Sequence, residues 1–196
     1  MRSIQNKIIV ILCLIILAFG ALSCSSNNTE LQKKIDALTA ELEKYKNAEV
    51  QVQKNLALMR SADESMNARD WETFSKVHST DVYVTSPDSP KPTENMKDHL
   101  AVVKSFTDAF PDHKIQLPYK AVFGSGDWIC AVHENGGTFT EPWHLPNGQT
   151  IQPTGKKYTM TMVTVGKAKG RELIEEMIIY DMSTMMRQLG LLDQKH

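Results

Sequence analysis

One aspartate, Asp181, separates the strand-like apolar run "ELIEEMII" from the helix-like run "TMMRQLGLL". Strand alternation puts it on one face with Leu173, Glu175, Met177 and Ile179. A carboxylate closing a largely apolar face is partly desolvated, and desolvation raises its pKa toward the strength a general base needs. Aspartate is also among the best helix N-caps, and a helix begins here. Thr184 is not the Glu or Gln that would complete a capping box, and Ser183 is a rival cap. Acid/base group and cap both remain open, and one residue can be both.

His133 is the second candidate. It falls within a strand pattern and is able to donate to a substrate carbonyl, although a half-buried strand histidine also serves as a structural hydrogen-bonder. Glu175 and Glu176 are neighbours on one strand, so one approaches the interior and the other faces away. They cannot form the facing carboxylate pair of a glycosidase. The histidines at 78, 99, 113, 133 and 144 are free to meet in space, but none has a carboxylate or cysteine at ligand spacing, so no metal site is expected. Glycine-rich phosphate loops, a Gly-x-Ser-x-Gly elbow and a His-x-x-x-His helix are all absent from the sequence.

The elements that must position these residues follow from periodicity and punctuation. Helices are expected over about 52–68, 71–77 and 94–110, the last stopped by Pro111. A strand is expected at "DVYVTS", followed by the proline-bearing loop "PDSPKP". Four more strands are expected at about 115–124, 127–135, 157–166 and 172–180, separated by "GSGD", "PNG" and "GKAKG" among other turn signals. "EPWHLPNG", with Trp143 and His144, is read as a loop able to act as a lid. Helices followed by a meander of strands argue for an α+β domain, with helices on one face of a curved antiparallel sheet.

Several motifs occur in one order: "FPDHK" (Phe110 to Lys114), "GDWICAVH" (Gly126 to His133), "GGTFT" (Gly136 to Thr140), "PTGKK" (Pro153 to Lys157), "LIEEMIIYD" and "RQLG" (Arg187 to Gly190). Together they resemble the SnoaL-like polyketide cyclases, or ester cyclases, of the NTF2-like superfamily, over roughly Leu56 to Leu192. The resemblance implies an NTF2-like cone: a strongly bent sheet wrapping a long helix around an apolar cavity. It implies proton removal from an activated methylene followed by attack of the carbanion on a carbonyl of the same molecule, with no metal or organic cofactor. The protein then supplies a positioned carboxylate and a water-poor chamber. Asp181 matches the family's carboxylate. Met177 stands where the family has tryptophan, Phe139 where it has histidine, and His133 where it often has arginine.

Phe106, Trp128, Phe139, Trp143, His144, Met160, Met162 and Met177 are the candidate wall residues, though ordinary core packing explains the apolar ones equally well. Two functions are compatible with this reading. One is an ester cyclase-type enzyme acting on a small apolar carbonyl compound. The other is a noncatalytic envelope protein whose cone binds a small hydrophobic ligand or oligomerises. Apolar residues on both faces of the late strands suggest a homodimer through the outer sheet face.

The amino terminus has a basic head (Arg2, Lys7), an apolar run from Ile8 to Leu17 and small residues before Cys24, the layout of a secretory signal. "ALSC" resembles a bacterial lipoprotein box, which implies cleavage after residue 23 and lipid on Cys24. Stable attachment then comes from several acyl chains, each buried methylene contributing roughly 0.8 kcal/mol. The expected layout is a signal peptide (1–23), a lipidated cysteine with polar tether and coiled-coil-like helix (24–50), and one domain (51–196). Leu31, Ile35, Leu38, Leu42 and Tyr45 form the heptad seam of that helix, and Thr29 with Gln32 reads as its start. The expected location is the cell envelope, on the periplasmic face of the outer membrane in a two-membrane host. With 22 Lys and Arg against 23 Asp and Glu, well mixed, nucleic acid is not an expected partner. Outside Cys13 and Cys24 only Cys130 remains, so no internal disulfide is expected in the mature chain.

Overall fold

The computed structural model describes residues 2–89 and 91–192, with side chains from residue 28 onward. The chain divides into two units, 1–48 and 49–196. Helix α1 (Arg2–Ala68) supplies all of the described first unit and the start of the second. It runs through the segment read as a polar bridge, so Thr29 does not begin a helix. Leu31, Ile35, Leu38, Leu42 and Tyr45 are all exposed, a solvent-facing apolar stripe. Cys24 lies outside the residues whose side chains are described.

In the second unit, α2 (Trp71–Lys76) begins where the Asp70 carboxylate accepts a hydrogen bond from the Thr73 amide at 3.1 Å. Strand β1 (His78–Thr85) follows, then α3 (Met96–Ala109), capped by Asn95, whose side chain accepts from the Asp98 amide at 2.9 Å. The expected strand over 115–124 is split into β2 (Lys114–Ile115) and β3 (Ala121–Ser125), with Pro118 between them lacking the amide a continuous ladder requires. Strands β4 (Trp128–Thr138), β7 (Lys157–Lys169) and β8 (Glu172–Ile179) match the expected meander. Between β4 and β7, the segment read as a loop forms a small ribbon, β5 (Trp143–His144) paired with β6 (Thr150–Ile151). Helix α4 (Met182–Gln188) closes the described chain.

The main sheet runs β1-β8-β7-β4-β2, with β3 also on β4. Every pairing is antiparallel except β1 with β8, which is parallel. The sheet is therefore mixed where a wholly antiparallel one was expected: β1 and β8, the first and last strands, are joined by no hairpin that would force them antiparallel. The inner face of β4 carries Ile129, Ala131, His133 and Asn135, and that of β7 carries Tyr158, Met160, Met162 and Thr164, in strict alternation. At Gly166 a Cβ would stand 2.6 Å from Met59 Cε, so glycine leaves the Met59 side chain of α1 room against β7.

Strand β8 breaks the alternation. Lys167 pairs with Glu175 but Ala168 pairs with Leu173, which leaves Ile174 as an extra, bulged residue. Leu173 and Glu176 are consequently both buried. Beyond the bulge the inner positions are Glu176, Ile178 and Tyr180, so Asp181 continues the outward set of Glu175, Met177 and Ile179 and not the inward side of Leu173.

One end of the core is filled by Ala109, Phe110, Phe139, Trp143, Tyr158, Met160, Met185 and Leu189. Phe110 stacks on Phe139 at 5.1 Å and meets Trp143 and Tyr158 edge-on at 5.7 and 5.3 Å. A second cluster joins α1 to β4 and β7 through Met59, Ala62, Ile129, Ala131 and Ala168. A third joins α2, β1 and α3 through Phe74, Val82, Val84, Met96 and Val103.

Candidate functional site

A cavity of about 110 Å³ opens between α1, α2, α3 and the inner faces of β1, β4, β7 and β8. Apolar wall comes from Ala62, Met66, Phe74, Val84, Val103, Phe106, Ile115, Met162 and Ile178, while Ser86, Asp88 and Ser89 of the loop after β1 form a more exposed side. By volume it holds several waters or a small guest. Its polar groups fall into three sets.

The first is Asp63 on α1. The residue is 9% exposed, and its carboxylate accepts a hydrogen bond from the Tyr119 hydroxyl at 2.7 Å. Burial pushes its pKa up to about 7, against the opposing pull of that hydrogen bond. The Tyr119 hydroxyl is itself driven upward by burial and by the facing carboxylate, so it stays a donor.

The second set is His78, His99 and Glu176, brought together from β1, α3 and β8. Glu176 Oε2 lies 3.4 Å from His78 Nε2 and 3.7 Å from His99 Nε2, and all three residues are buried. Phe74 fixes both rings: it is tilted against His78 at 4.5 Å and stacks on His99 at 5.6 Å, and its carbonyl accepts from His78 Nδ1 at 2.6 Å. A carbonyl only accepts, so the proton sits on Nδ1 and Nε2 faces the carboxylate. Burial alone would raise Glu176, but the two imidazoles outweigh it and hold the carboxyl below its usual range. For His78, burial is likewise outweighed by the Glu176 charge and its pKa is raised, whereas burial takes His99 down to about 4.

The third set is His133, Asn135 and Thr164. His133 Nδ1 meets Asn135 Oδ1 at 2.5 Å and Nε2 meets Thr164 Oγ1 at 3.1 Å. Both ring nitrogens are therefore engaged, and burial lowers the pKa. His113, held to the Tyr158 hydroxyl at 2.7 Å, is kept neutral by burial with a pKa of about 3. Four buried polar atoms among the cavity residues have no hydrogen-bond partner among the described residues: His78 Nε2, His99 Nε2, His113 Nε2 and Thr93 Oγ1. Orphaned buried polar atoms are costly, which marks this wall as a place for a polar ligand.

Of the residues expected at the site, Phe106, Met162 and His133 line the cavity. Asp181 does not. It is the exposed N-cap of α4, accepting from the Thr184 amide at 3.0 Å and from the Thr184 hydroxyl at 2.5 Å. Those bonds hold its carboxyl below the usual range, opposite to the expected rise. Phe139, Trp143 and Met160 belong to the filled end of the core. Trp128 sits on the outer face beneath Lys167 Nζ at 5.2 Å, and Met177 is opposite Val165 on that same face. His144 is exposed in the ribbon, 3.0 Å from Thr150 Oγ1. Asp63, His78, His99 and Glu176 were not singled out beforehand. Asp63 leaves one trace in the sequence, a lone carboxylate on the stripe of α1 that carries Met59, Ala62 and Met66.

The description "SnoaL-like polyketide cyclase" matches residues 56–189 as a family model. Solved structures of similar fold include AclR, a proposed hydroxylase from Streptomyces galilaeus, 19% identical with a TM-score of 0.60 over 72% of this chain and 99% of that one. IdmH, a proposed polyketide cyclase from Streptomyces antibioticus, is 22% identical with a TM-score of 0.55 over 69% and 98%. A proposed SnoaL-like polyketide cyclase from Jannaschia sp. CCS1 is 15% identical with a TM-score of 0.63 over 72% and 95%. No curated protein sequence matches significantly. At these identities the structures speak for the fold, the bent sheet around helices of the NTF2-like architecture. The family match spans most of the second unit, and on that ground the chain belongs to the SnoaL-like polyketide cyclase family.

Proposed function

We propose that the cavity binds a small, mainly apolar carbonyl compound and that Asp63 moves a proton on the carbon beside that carbonyl. The observation that carries this reading is a buried carboxyl on the cavity wall, held by the Tyr119 hydroxyl at 2.7 Å, whose pKa burial pushes up to about 7. A group balanced near neutrality both accepts and returns a proton, which is what enolisation and ring closure require. The apolar wall excludes water, and the polar corner of His78, His99 and Glu176 faces the guest's oxygen. Asp181, exposed and occupied as a cap, is given no part in the chemistry.

Native mass spectrometry of the chain purified from its host identifies the guest. Asp63→Asn then lowers turnover of that guest by at least about 100-fold, within the range of general-base catalysis, with guest binding retained. Full turnover in Asp63→Asn removes the residue from the mechanism. If no substrate turns over while the guest stays bound in the unmodified chain, the noncatalytic carrier reading replaces the enzymatic one.

Two partners complete the proposal. Cys24 carries lipid that holds the protein on the envelope membrane; palmitate label that persists in Cys24→Ser would refute this. A second copy covers the outer sheet face, where Phe123, Cys130, Val165 and Met177 lie in one cross-strand row and Val132, Val163 and Ile179 in the next.

A further inference from the structure

We propose that His78, His99 and Glu176 form a binding site for one divalent first-row transition cation. The three side chains come from β1, α3 and β8, and their ligand atoms lie within 4.8 Å of one another on the cavity wall. Two edges of this triangle, 3.4 and 3.7 Å, are close to the roughly 3.4 Å between donors placed about 2.0–2.1 Å from a tetrahedral zinc ion. An ordinary ion pair would bring nitrogen and oxygen to about 2.8 Å. Here both imidazoles stand off from the same carboxylate oxygen, and both Nε2 atoms lack a hydrogen-bond partner while 3% of each histidine is exposed. One cation satisfies all three groups together, as no pairwise contact does.

The surroundings agree with metal ligation. His78 donates its other ring nitrogen to the Phe74 carbonyl, the outer-shell contact that orients a metal-binding imidazole and leaves Nε2 as the ligand atom. Two imidazoles and one carboxylate suit zinc, iron(II) or cobalt(II) and disfavour magnesium and calcium, which take oxygen donors. Three protein ligands leave at least one coordination position free, and all three residues border the cavity, so a guest oxygen or a water can occupy it. Cation binding follows from this geometry alone. Its part in turnover, polarising the carbonyl whose neighbouring carbon Asp63 deprotonates, rests on the acid/base reading above.

The full chain, stripped with a chelator and titrated with zinc(II) against a chromophoric competitor, should take up one tightly bound equivalent. His99→Gln and Glu176→Gln should each weaken that site by more than about 100-fold, beyond the loss expected for an outer-shell partner. His144→Ala, on the exposed ribbon, should leave it unchanged. Cobalt(II) should give visible d–d bands without the thiolate charge-transfer band that ligation by cysteine would add. A chain that takes up no tight equivalent, or one that keeps it in both variants, overturns the site. Should the variants fail to fold, nitrogen-15 spectra of the unmodified chain decide: two histidine Nε2 signals must move on zinc addition, and unmoved signals overturn the site. None of these readouts involves turnover, so failure here leaves the Asp63 mechanism standing and failure of that mechanism leaves this site standing.

Discussion

Leu173 and Glu176 are three residues apart on one strand, yet both side chains point into the core. The bulge at Ile174 is the cause. It reverses inward and outward for the rest of β8, brings Glu176 between His78 and His99, and sends Asp181 to the surface.

Glu176 and Asp181 should therefore respond differently to truncation. Glu176→Ala leaves the buried His78, whose pKa the Glu176 charge raises, without its counter-charge and should cost about 3–5 kcal/mol, the usual loss when a buried ionic partner is removed. Asp181→Ala loses only an exposed helix cap and should destabilise far less. Urea unfolding at pH 7 checks both, and equal losses would contradict the assigned positions.

Asp63 should make stability depend on pH in a definite direction. The folded chain keeps this proton up to about pH 7, whereas the unfolded chain releases it near 3.8. Between those values the folded state binds more protons, so this group's contribution falls as pH rises, by a total approaching about 4 kcal/mol. His99, lowered to about 4, works in the opposite sense up to about 6.5 and masks part of the slope. His78 and Glu176 also face Asp63, so the comparison is between variant and parent. The stability of Asp63→Asn relative to the parent should climb from pH 4 to 7, and parallel curves would refute the assignment.

Tyr119 restrains that shift. Its hydroxyl stabilises the carboxylate form of Asp63 at 2.7 Å. Tyr119→Phe should raise the Asp63 pKa by about one to two further pH units, since a hydrogen bond to a charged group is worth about 1.5–3 kcal/mol. A carbon-13 carboxyl titration reads this without any substrate. An unchanged or lowered midpoint would show that the hydroxyl does not hold the carboxylate.

The cavity should be possible to close from α3. Val102 is half-buried on its wall, so Val102→Trp fills the space at a cost of about 1–3 kcal/mol. The retained guest should vanish from the native mass spectrum while circular dichroism stays unchanged. Guest bound at the original level would place it elsewhere.

The outer face offers a test of assembly. Light scattering of the chain without residues 1–50 should show a dimer, and Ile179→Lys, which charges an exposed apolar position of that face, should leave a monomer. A monomer before substitution would refute pairing through this sheet.

Much of the architecture was legible in the amino-acid order because it depends on local chemistry. The α3, β4, β7 and β8 segments and the end of α1 over 52–68 announce themselves by periodicity, whereas the continuity of α1 from Arg2 through the expected polar bridge does not. The sequential motifs identified the family. The site was less legible, although Phe106, Met162 and His133 were placed correctly on the cavity wall. Trp128, Phe139, Trp143, Met160 and Met177 are apolar side chains of the right kind in the wrong place. Composition says that such residues are buried or stacked, and only packing says against what.

What the sequence determined by itself is the α+β order of elements and the alternating faces of the regular strands, since both follow from backbone geometry within a few residues. What only the tertiary structure decided is which carboxylates face the cavity. One bulged residue in β8 inverts every later side chain, and α1, α2 and α3 must pack on the sheet before Asp63, His78 and His99 meet Glu176. Both are long-range events, and their energies do not reside in any contiguous stretch of chain.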